Sequence, residues 1–154
     1  MTAATQIAAP NAPEGYVIQA KESGFAQMIG PIYQRIDESG AQSLGFRIEK
    51  KHLNNSGSLH GGMIQGFADM AWGRVISTER SINWVTVRLV CDFLAGATLG
   101  DFIEGAGEIA GEADGMFTVR GRIWTGDKTL AVGTGLFKGF QAREARPGER
   151  AFKG

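Results

Sequence analysis

The feature of this sequence that most constrains its fold is one segment of helical periodicity lying between two groups of strand-like segments. From Gly61 to about Thr78, apolar residues recur every four positions in two adjoining rows. The rows are Met63, Phe67, Ala71 and Val75, and Ile64, Ala68, Trp72 and Ile76. An apolar face of this width predicts a helix that is buried on one side against a sheet.

The segments around the predicted helix alternate between apolar and polar residues, as half-buried strands do. We predict two strands before it, over 32–37 and 43–50, joined by a turn at 38–40. Four strands are predicted after it, over 84–93, 102–112, 116–125 and 128–140. A short helix is predicted near Phe25, Met28 and Ile29. Proline is absent between residues 32 and 146, and its absence suits long strands because proline removes a ladder donor.

The turn residues predict how the last three strands pair. A three-residue loop at 113–115 would place Glu108 opposite Arg120, and a two-residue loop at 126–127 would place Ile123 opposite Leu130. Both registers put the larger apolar residues on one face, which indicates an antiparallel meander. The predicted fold is therefore α+β, with an antiparallel sheet wrapped around one long central helix.

Length and composition limit the function classes that remain. The chain has 154 residues with sixteen Lys and Arg against sixteen Asp and Glu, so we expect one domain and no broad basic surface for nucleic acid. We expect a core over about 24–140, a flexible leader over 1–13 and a charged, frayed tail over 141–154. One Cys and two His exclude an internal disulfide and a finger-type zinc site. Without a membrane span or signal-peptide pattern, we expect a cytoplasmic protein.

The run from Asn54 to Gly62, which leads into the helix bearing Asp69, carries the candidate chemistry. On the helix, Gly62, Gly66, Asp69 and Gly73 form a stripe opposite the apolar face. Three glycines destabilise a helix relative to alanine, so their presence in this stripe calls for an explanation. Either it packs closely against another helix of a second subunit, or it lets a ligand approach Asp69.

The start of the helix offers unpaired backbone donors. Gly61 and Gly62 have no side chains that would screen their backbone N–H groups. Such donors can polarise a carbonyl oxygen and stabilise an oxyanion. Asp69 lies about 12 Å further along the helix. If both groups act on one carbonyl, the carboxylate must come from a second copy, so the spacing predicts a symmetric dimer with sites at its interface.

The pattern Asn54-x-x-Gly57-x-x-His60-Gly61-Gly62, followed by Asp69 in the next helix, resembles the hotdog-fold acyl-CoA thioesterases. The resemblance covers about 24–140 and is strongest to their phenylacetate-degradation (PaaI-like) branch. One departure is Gly96, where the family usually has proline after a strand.

The resemblance also implies roles for individual residues. It implies that the Gly61 N–H polarises the thioester carbonyl and that Asp69 of the partner subunit acts as nucleophile or general base. It implies that Asn54 orients the thioester or the water. The substrate-binding candidates are His60, Gly62, Gln65 and Thr86.

The function predicted from these residues is hydrolysis of an acyl-CoA thioester by a homodimer or a dimer of dimers. No metal and no redox cofactor is implied, and coenzyme A is part of the substrate. Two alternatives remain, a non-catalytic acyl-CoA binding module and a hotdog hydratase or dehydratase. His60 is interpreted first as a residue that fixes the loop, His52 as a solvated side chain, and Cys91 as a buried small hydrophobe.

Overall fold

One antiparallel sheet and one long helix account for most of the described chain, which comprises residues 11–19 and 24–141 of a computed structural model. The helices are α1 (Phe25–Ile29), a 3-10 helix (Lys50–His52) and α2 (Gly61–Arg80). The strands are β1 (Val17–Ile18), β2 (Tyr33–Ile36), β3 (Gln42–Arg47), β4 (Asn83–Phe93), β5 (Phe102–Ala113), β6 (Met116–Thr125) and β7 (Lys128–Phe140). They form a seven-stranded sheet in the order β1-β2-β3-β5-β6-β7-β4. The predicted architecture is confirmed, and the short strand β1 is an addition to it.

Helix α2 lies across the sheet and supplies the centre of the core. It begins at Gly61, as predicted, and ends at Arg80. All the residues of the two predicted apolar rows are buried except Val75, which is partly buried. Among residues 11–19 and 24–141, no helix is long and apolar enough to cross a membrane.

Trp72 lies against a row of glycines that crosses three neighbouring strands. Gly107 pairs with Gly121, and Gly121 pairs with Gly133. A Cβ atom on Gly121 would stand 2.2 Å from Trp72 Cδ2, and one on Gly133 would stand 2.9 Å from Trp72 Cη2. A Cβ atom on Gly107 would be 2.9 Å from the Cα of the same tryptophan. These glycines let the helix and its largest side chain approach the sheet closely.

The antiparallel meander is confirmed, but its first loop and part of its register differ from the prediction. The predicted three-residue loop at 113–115 is wrong, because Ala113 pairs with Met116 and leaves a two-residue loop. A register shift after Ile109 restores the predicted pair of Glu108 with Arg120. The second loop is the predicted one, but a shift near Leu130 pairs Ile123 with Ala131 instead. The prediction of Leu130 opposite Ile123 is therefore wrong, since a bulge moves the rest of a strand to the other face.

A third bulge interrupts β4, the strand at the edge of the sheet. The register shifts between Thr86 and Arg88, so the predicted single alternation along this strand is wrong. Trp84 packs against the core before the bulge, and Leu89 and Cys91 pack against it after the bulge. Cys91 is partly buried, and burial raises the pKa of its thiol.

The prediction that His52 is solvated is wrong. Its ring is buried, Nδ1 accepts a hydrogen bond from the Glu49 N–H at 3.0 Å, and Nε2 lies 2.9 Å from the carbonyl oxygen of Ile29. An Nδ1 that accepts leaves the proton on Nε2, so Nε2 donates to Ile29. His52 thus fastens the end of α1 to the loop that leads into α2, and burial lowers the pKa of its imidazole.

The expected leader and tail lie mostly outside the described residues, at 1–10 and 142–154. The last residues of the expected leader contact the sheet. The carbonyl oxygen of Asn11 accepts a hydrogen bond from Arg47 Nε at 2.7 Å. Ala12 packs against a small cluster of Tyr16, Tyr33 and Phe102 on the outer face of the sheet.

Candidate active site

The loop before α2 is held by the side chain of Asn54. Its Oδ1 accepts hydrogen bonds from the backbone N–H groups of Ser56, at 2.9 Å, and Ser58, at 3.1 Å. Gly57 lies in this turn with a φ of 79°, a backbone conformation that glycine adopts without strain. Because Oδ1 is engaged in the turn, a contact between Asn54 and a substrate would use the Nδ2 amide group, which donates.

The helix start presents one N–H group that no acceptor of the described residues occupies. His60 is the N-cap of α2, and its Nδ1 accepts the N–H of Gly62 at 2.8 Å. The Gly61 N–H has no acceptor within the described part of the chain. Of the two donors predicted from the sequence, the one at Gly61 is therefore available for a ligand, while His60 and Gly62 build the cap.

Gly61 has room for a side chain within its own chain. Among residues 11–19 and 24–141, a Cβ atom at this position would meet only the ring of Phe93, at 3.7 Å from Cε1, which is ordinary van der Waals contact. Packing within the chain therefore does not require glycine at position 61. The ring of Phe93, which sequence reasoning did not place near the site, lies at the open side of the Gly61 donor.

The carboxyl group of Asp69 lies two turns further along α2. It is partly buried, and the hydroxyl of Thr86 on β4 donates a hydrogen bond to its Oδ1. Burial raises the pKa of Asp69, and the Thr86 hydrogen bond opposes that change in part. Gln65 lies one turn before Asp69 and one turn after Gly61, so the three residues follow one row along the helix.

Two glycines of the stripe are explained by aromatic rings of the same chain. A Cβ atom on Gly66 would stand 2.9 Å from Phe25 Cε1, and one on Gly73 would stand 2.4 Å from Trp84 Cη2. The stripe is therefore neither a helix-packing surface along its whole length nor a continuous ligand channel. Phe25 is a second aromatic residue that the sequence did not place near the site, and its ring lies at Gly66, one turn from Asp69.

The two chemical groups are on the same side of α2 but far apart. Strand β4 runs along the helix in the opposite direction, so that Thr86 lies beside Asp69 and Phe93 beside Gly61. Gly61 and Asp69 are eight positions apart, which separates them by about 12 Å along the helix axis. Such a site offers a carbonyl-binding donor at one end and a carboxylate with a raised pKa at the other, which are groups that acyl transfer uses.

The sequence profile of the thioesterase superfamily matches residues 56–132 of the chain. A relative from Pseudomonas aeruginosa, named "Putative esterase PA0474", is 30% identical over 129 residues. The match covers 82% of this chain and 96% of that protein. The chain belongs to the thioesterase superfamily.

Solved structures show that the fold is the hotdog fold of thioesterases. The Bacillus halodurans protein BH2602, determined with CoA, has a TM-score of 0.69 and 21% identity, and the match covers 81% of this chain and 83% of that one. The PaaI protein of the phenylacetic acid degradation operon of E. coli has a TM-score of 0.66 and 22% identity. That match covers 75% of this chain and 83% of the E. coli protein. The predicted resemblance to this family and its PaaI-like members is confirmed.

Proposed function

We propose that this protein hydrolyses acyl-CoA thioesters to a free acid and coenzyme A, at sites that two copies of the chain share. The observation that carries the proposal is Asp69, a partly buried carboxyl group held by Thr86 on the helix that begins with the unoccupied Gly61 N–H. In a thioesterase-superfamily chain, the Gly61 N–H can bind the thioester carbonyl oxygen, and the Asp69 carboxylate can act as nucleophile or general base.

The Gly61 N–H binds the carbonyl oxygen of the thioester in this proposal. The donor lies at the positive end of the α2 dipole, where negative charge is stabilised. As the carbonyl carbon becomes tetrahedral, its oxygen becomes an oxyanion, and a donor that is already in place stabilises it. The His60 cap keeps the neighbouring Gly62 N–H occupied, so the oxygen is directed to one peptide group.

Asp69 acts as nucleophile or general base, and both roles need the ionised carboxylate. As a base, it takes a proton from a water molecule whose oxygen adds to the carbonyl carbon. The C–S bond then breaks, and the thiolate of coenzyme A leaves and takes up a proton. Burial raises the pKa of Asp69, which makes its carboxylate a stronger base than an exposed one. The Thr86 hydroxyl orients the carboxylate.

A second copy of the chain brings the two groups together in this proposal. A separation of about 12 Å within one helix is too large for both groups to contact one carbonyl group. Strand β4 is an edge strand beside the site, and its exposed valines are Val85 (51%), Val87 (55%) and Val90 (46%). Edge strands with exposed apolar side chains favour pairing with another strand, so we infer that two β4 strands meet in a symmetric dimer or a dimer of dimers.

The acyl-CoA substrate is supported by the relatives. A structural neighbour was determined with CoA, and another belongs to an operon for phenylacetic acid degradation. The proposed reaction consumes only the thioester and water. Coenzyme A enters as part of the substrate and leaves as product, and the chemistry calls for no metal or redox cofactor.

Mixed dimers test both the reaction and the shared site. Thiol release from acetyl-, hexanoyl- and phenylacetyl-CoA is measured for the wild type, for Asp69→Asn and for Gly61→Val, and then for an equimolar mixture of the two variants after subunit exchange. Both variants should be inactive alone. The mixture should regain about a quarter of the wild-type activity, because half of randomly formed dimers contain one intact site out of two.

Each other result identifies a specific failure. A wild type that binds acyl-CoA without releasing thiol would make the protein a binding module, and release of water from hydroxyacyl-CoA would make it a dehydratase. If the wild type releases thiol but exchanged mixtures recover no activity, the protein is a hydrolase and the proposed site shared between two copies is wrong.

A further inference from the structure

Two aromatic rings flank the carboxyl group of Asp69 along α2. The ring of Phe25, on α1, reaches Gly66, three positions before Asp69, and the ring of Trp84, on β4, reaches Gly73, four positions after it. Gly66 and Gly73 are about 10.5 Å apart along the helix axis, and Asp69 lies within that interval. A group that contacts the carboxylate from the open side of the helix therefore comes close to these rings.

The two rings differ in how the rest of the chain holds them. Trp84 packs against the main core, with its ring centroid 5.0 Å from that of Phe137, and its Nε1 donates a hydrogen bond to Ser77 Oγ at 3.1 Å. Phe25 belongs to neither hydrophobic cluster of the described residues, and it is 54% exposed. The position of Trp84 is explained by packing, whereas that of Phe25 is not.

Phe25 also requires glycine at the helix position that it covers. A Cβ atom on Gly66 would stand 2.9 Å from Cε1 and 3.0 Å from Cζ of the Phe25 ring. Glycine destabilises a helix interior relative to alanine, and a half-exposed ring gains only part of the free energy of burial. Stability of the single chain therefore does not account for the pair. An exposed aromatic ring beside a partly buried carboxyl group is typical of the lining of a ligand site.

Polar contacts hold α1, and with it the ring, in place relative to α2. The carbonyl oxygen of Ile29 accepts a hydrogen bond from His52 Nε2 at 2.9 Å, and that of Gly30 accepts one from Lys51 Nζ. The side chain of Ile29 packs against the core. Both donors belong to the loop that leads into α2, so the Phe25 ring has a fixed place one turn from Asp69.

We propose, on the basis of the function proposed above, that Phe25 sets the size of the acyl group that this protein accepts, because its ring contacts the acyl chain beside Asp69. The acyl group is apolar and is joined directly to the reacting carbon, whereas the nucleotide part of coenzyme A carries charged phosphates. An apolar ring at Gly66, about 4.5 Å from Asp69 along the helix axis, therefore suits the acyl chain. Short chains end at the ring and gain its contact, and longer chains would collide with it.

A series of straight-chain esters measures this selection. Thiol release from acetyl-, butyryl-, hexanoyl-, octanoyl- and decanoyl-CoA is recorded as kcat/KM for the wild type and for Phe25→Ala. The variant should lose activity on butyryl-CoA, because the apolar contact is gone, and gain activity on decanoyl-CoA, because the space is open. The ratio of decanoyl- to butyryl-CoA kcat/KM should rise at least about tenfold, since a single methylene in an apolar pocket changes kcat/KM by about 10- to 200-fold.

Two further variants separate the ring's size from other effects. Gly66→Leu in the Phe25→Ala background places a side chain of α2 in the vacated space, so the ratio should fall back toward that of the wild type. Ile36→Ala removes a comparably exposed apolar side chain, 62% exposed, at the end of β2. That variant should keep the wild-type ratio.

The ratio distinguishes selection from a structural role. Weaker folding or weaker assembly in Phe25→Ala would lower kcat/KM for all five esters by one common factor, and an unchanged ratio would overturn the proposal whether or not sedimentation shows a dimer. An equal change of the ratio in Ile36→Ala would also overturn it. If Phe25→Ala does not fold, Phe25→Leu should give a smaller change in the same direction, and no change in that variant has the same meaning.

The wild type separates failure of this proposal from failure of the proposed function. Thiol release by the wild type together with an unchanged ratio in the Phe25 variants refutes only the role of Phe25. A wild type that releases thiol from none of the esters refutes thioester hydrolysis and the role of Phe25 together.

Discussion

Gly61→Val separates the chemical need for glycine at the helix start from a packing need. In the part of the chain that the structure describes, a Cβ atom at position 61 would meet only the Phe93 ring, at 3.7 Å and 3.8 Å from two of its carbons. The backbone there is helical, so an L-residue adopts it without strain. Because glycine itself costs about 1 kcal/mol in a helix interior relative to alanine, valine should change the free energy of unfolding by less than about 1 kcal/mol.

That small change in stability should accompany a large loss of activity. For a chain of this length, about 1 kcal/mol corresponds to roughly 2–4 °C in Tm, so the thermal transition should stay within that range. The valine methyl groups would occupy the space in which the thioester reaches the Gly61 N–H. Loss of one such donor costs about 3–4 kcal/mol of transition-state stabilisation, which is a 10² to 10³ fall in kcat.

Gly73→Val is the matched control on the same helix. A Cβ atom at position 73 would stand 2.4 Å from Trp84 Cη2, and overpacking of this kind costs about 1–3 kcal/mol. This variant should lose Tm and keep most of its kcat at temperatures at which it is folded. Calorimetry, sedimentation and a thiol-release assay on both variants give the comparison. Full kcat with a markedly lower Tm in Gly61→Val would refute the functional reason for Gly61.

Three further changes test the carboxylate, the loop and the edge strand. Thr86→Val removes the hydroxyl that donates to Asp69, so the pKa of Asp69 should rise and the acidic limb of the kcat/KM profile should move to higher pH; an unmoved limb would exclude Asp69 as the titrating group. His52→Gln tests the buried imidazole, whose pKa burial lowers: the wild type should lose stability as the pH falls below about 6.5, because its unfolded state binds the proton more readily. The glutamine variant should lose less over the same interval in urea titrations, and parallel curves would contradict this origin. Val87→Lys should convert the assembly to inactive monomers in sedimentation experiments, and a stable active dimer would show that β4 is not the interface.

The fold was predictable because its strongest signals are periodic. The two apolar rows of α2 and the alternation of the strands each repeat often enough to identify the element and its buried face. The bulges were not predictable, since the residues near Val87 and Leu130 have ordinary strand character and a one-residue shift leaves no mark in composition. Each bulge reversed the face of the residues that follow it.

The site was predictable to the extent that it follows the order of the chain. Asn54, His60 and Gly61 lie together because they are consecutive parts of one loop and helix start. The positions of Phe25 and Phe93 depend on how α1 and the end of β4 fold back onto α2, which no local pattern records. The burial of His52 was not predictable for the same reason, since its ring lies against the end of α1 and bonds the carbonyl oxygen of Ile29, which is distant in the sequence.

The glycine row beneath Trp72 has a consequence for the placement of the carboxylate. A helix with a smooth apolar face can rotate about its own axis on a sheet. Here Trp72 packs against three glycines, with its indole on Gly121 and Gly133 and its backbone on Gly107, and this contact fixes the rotation of α2 about its axis. Asp69 is one turn away on the same rigid helix, and a roll of 20° would move its carboxyl group by about 2 Å at the outer radius of a helix. Trp72 thus helps to set the position of the Asp69 carboxyl group. A smaller residue at position 72 would allow the helix to rotate without changing any residue of the candidate site.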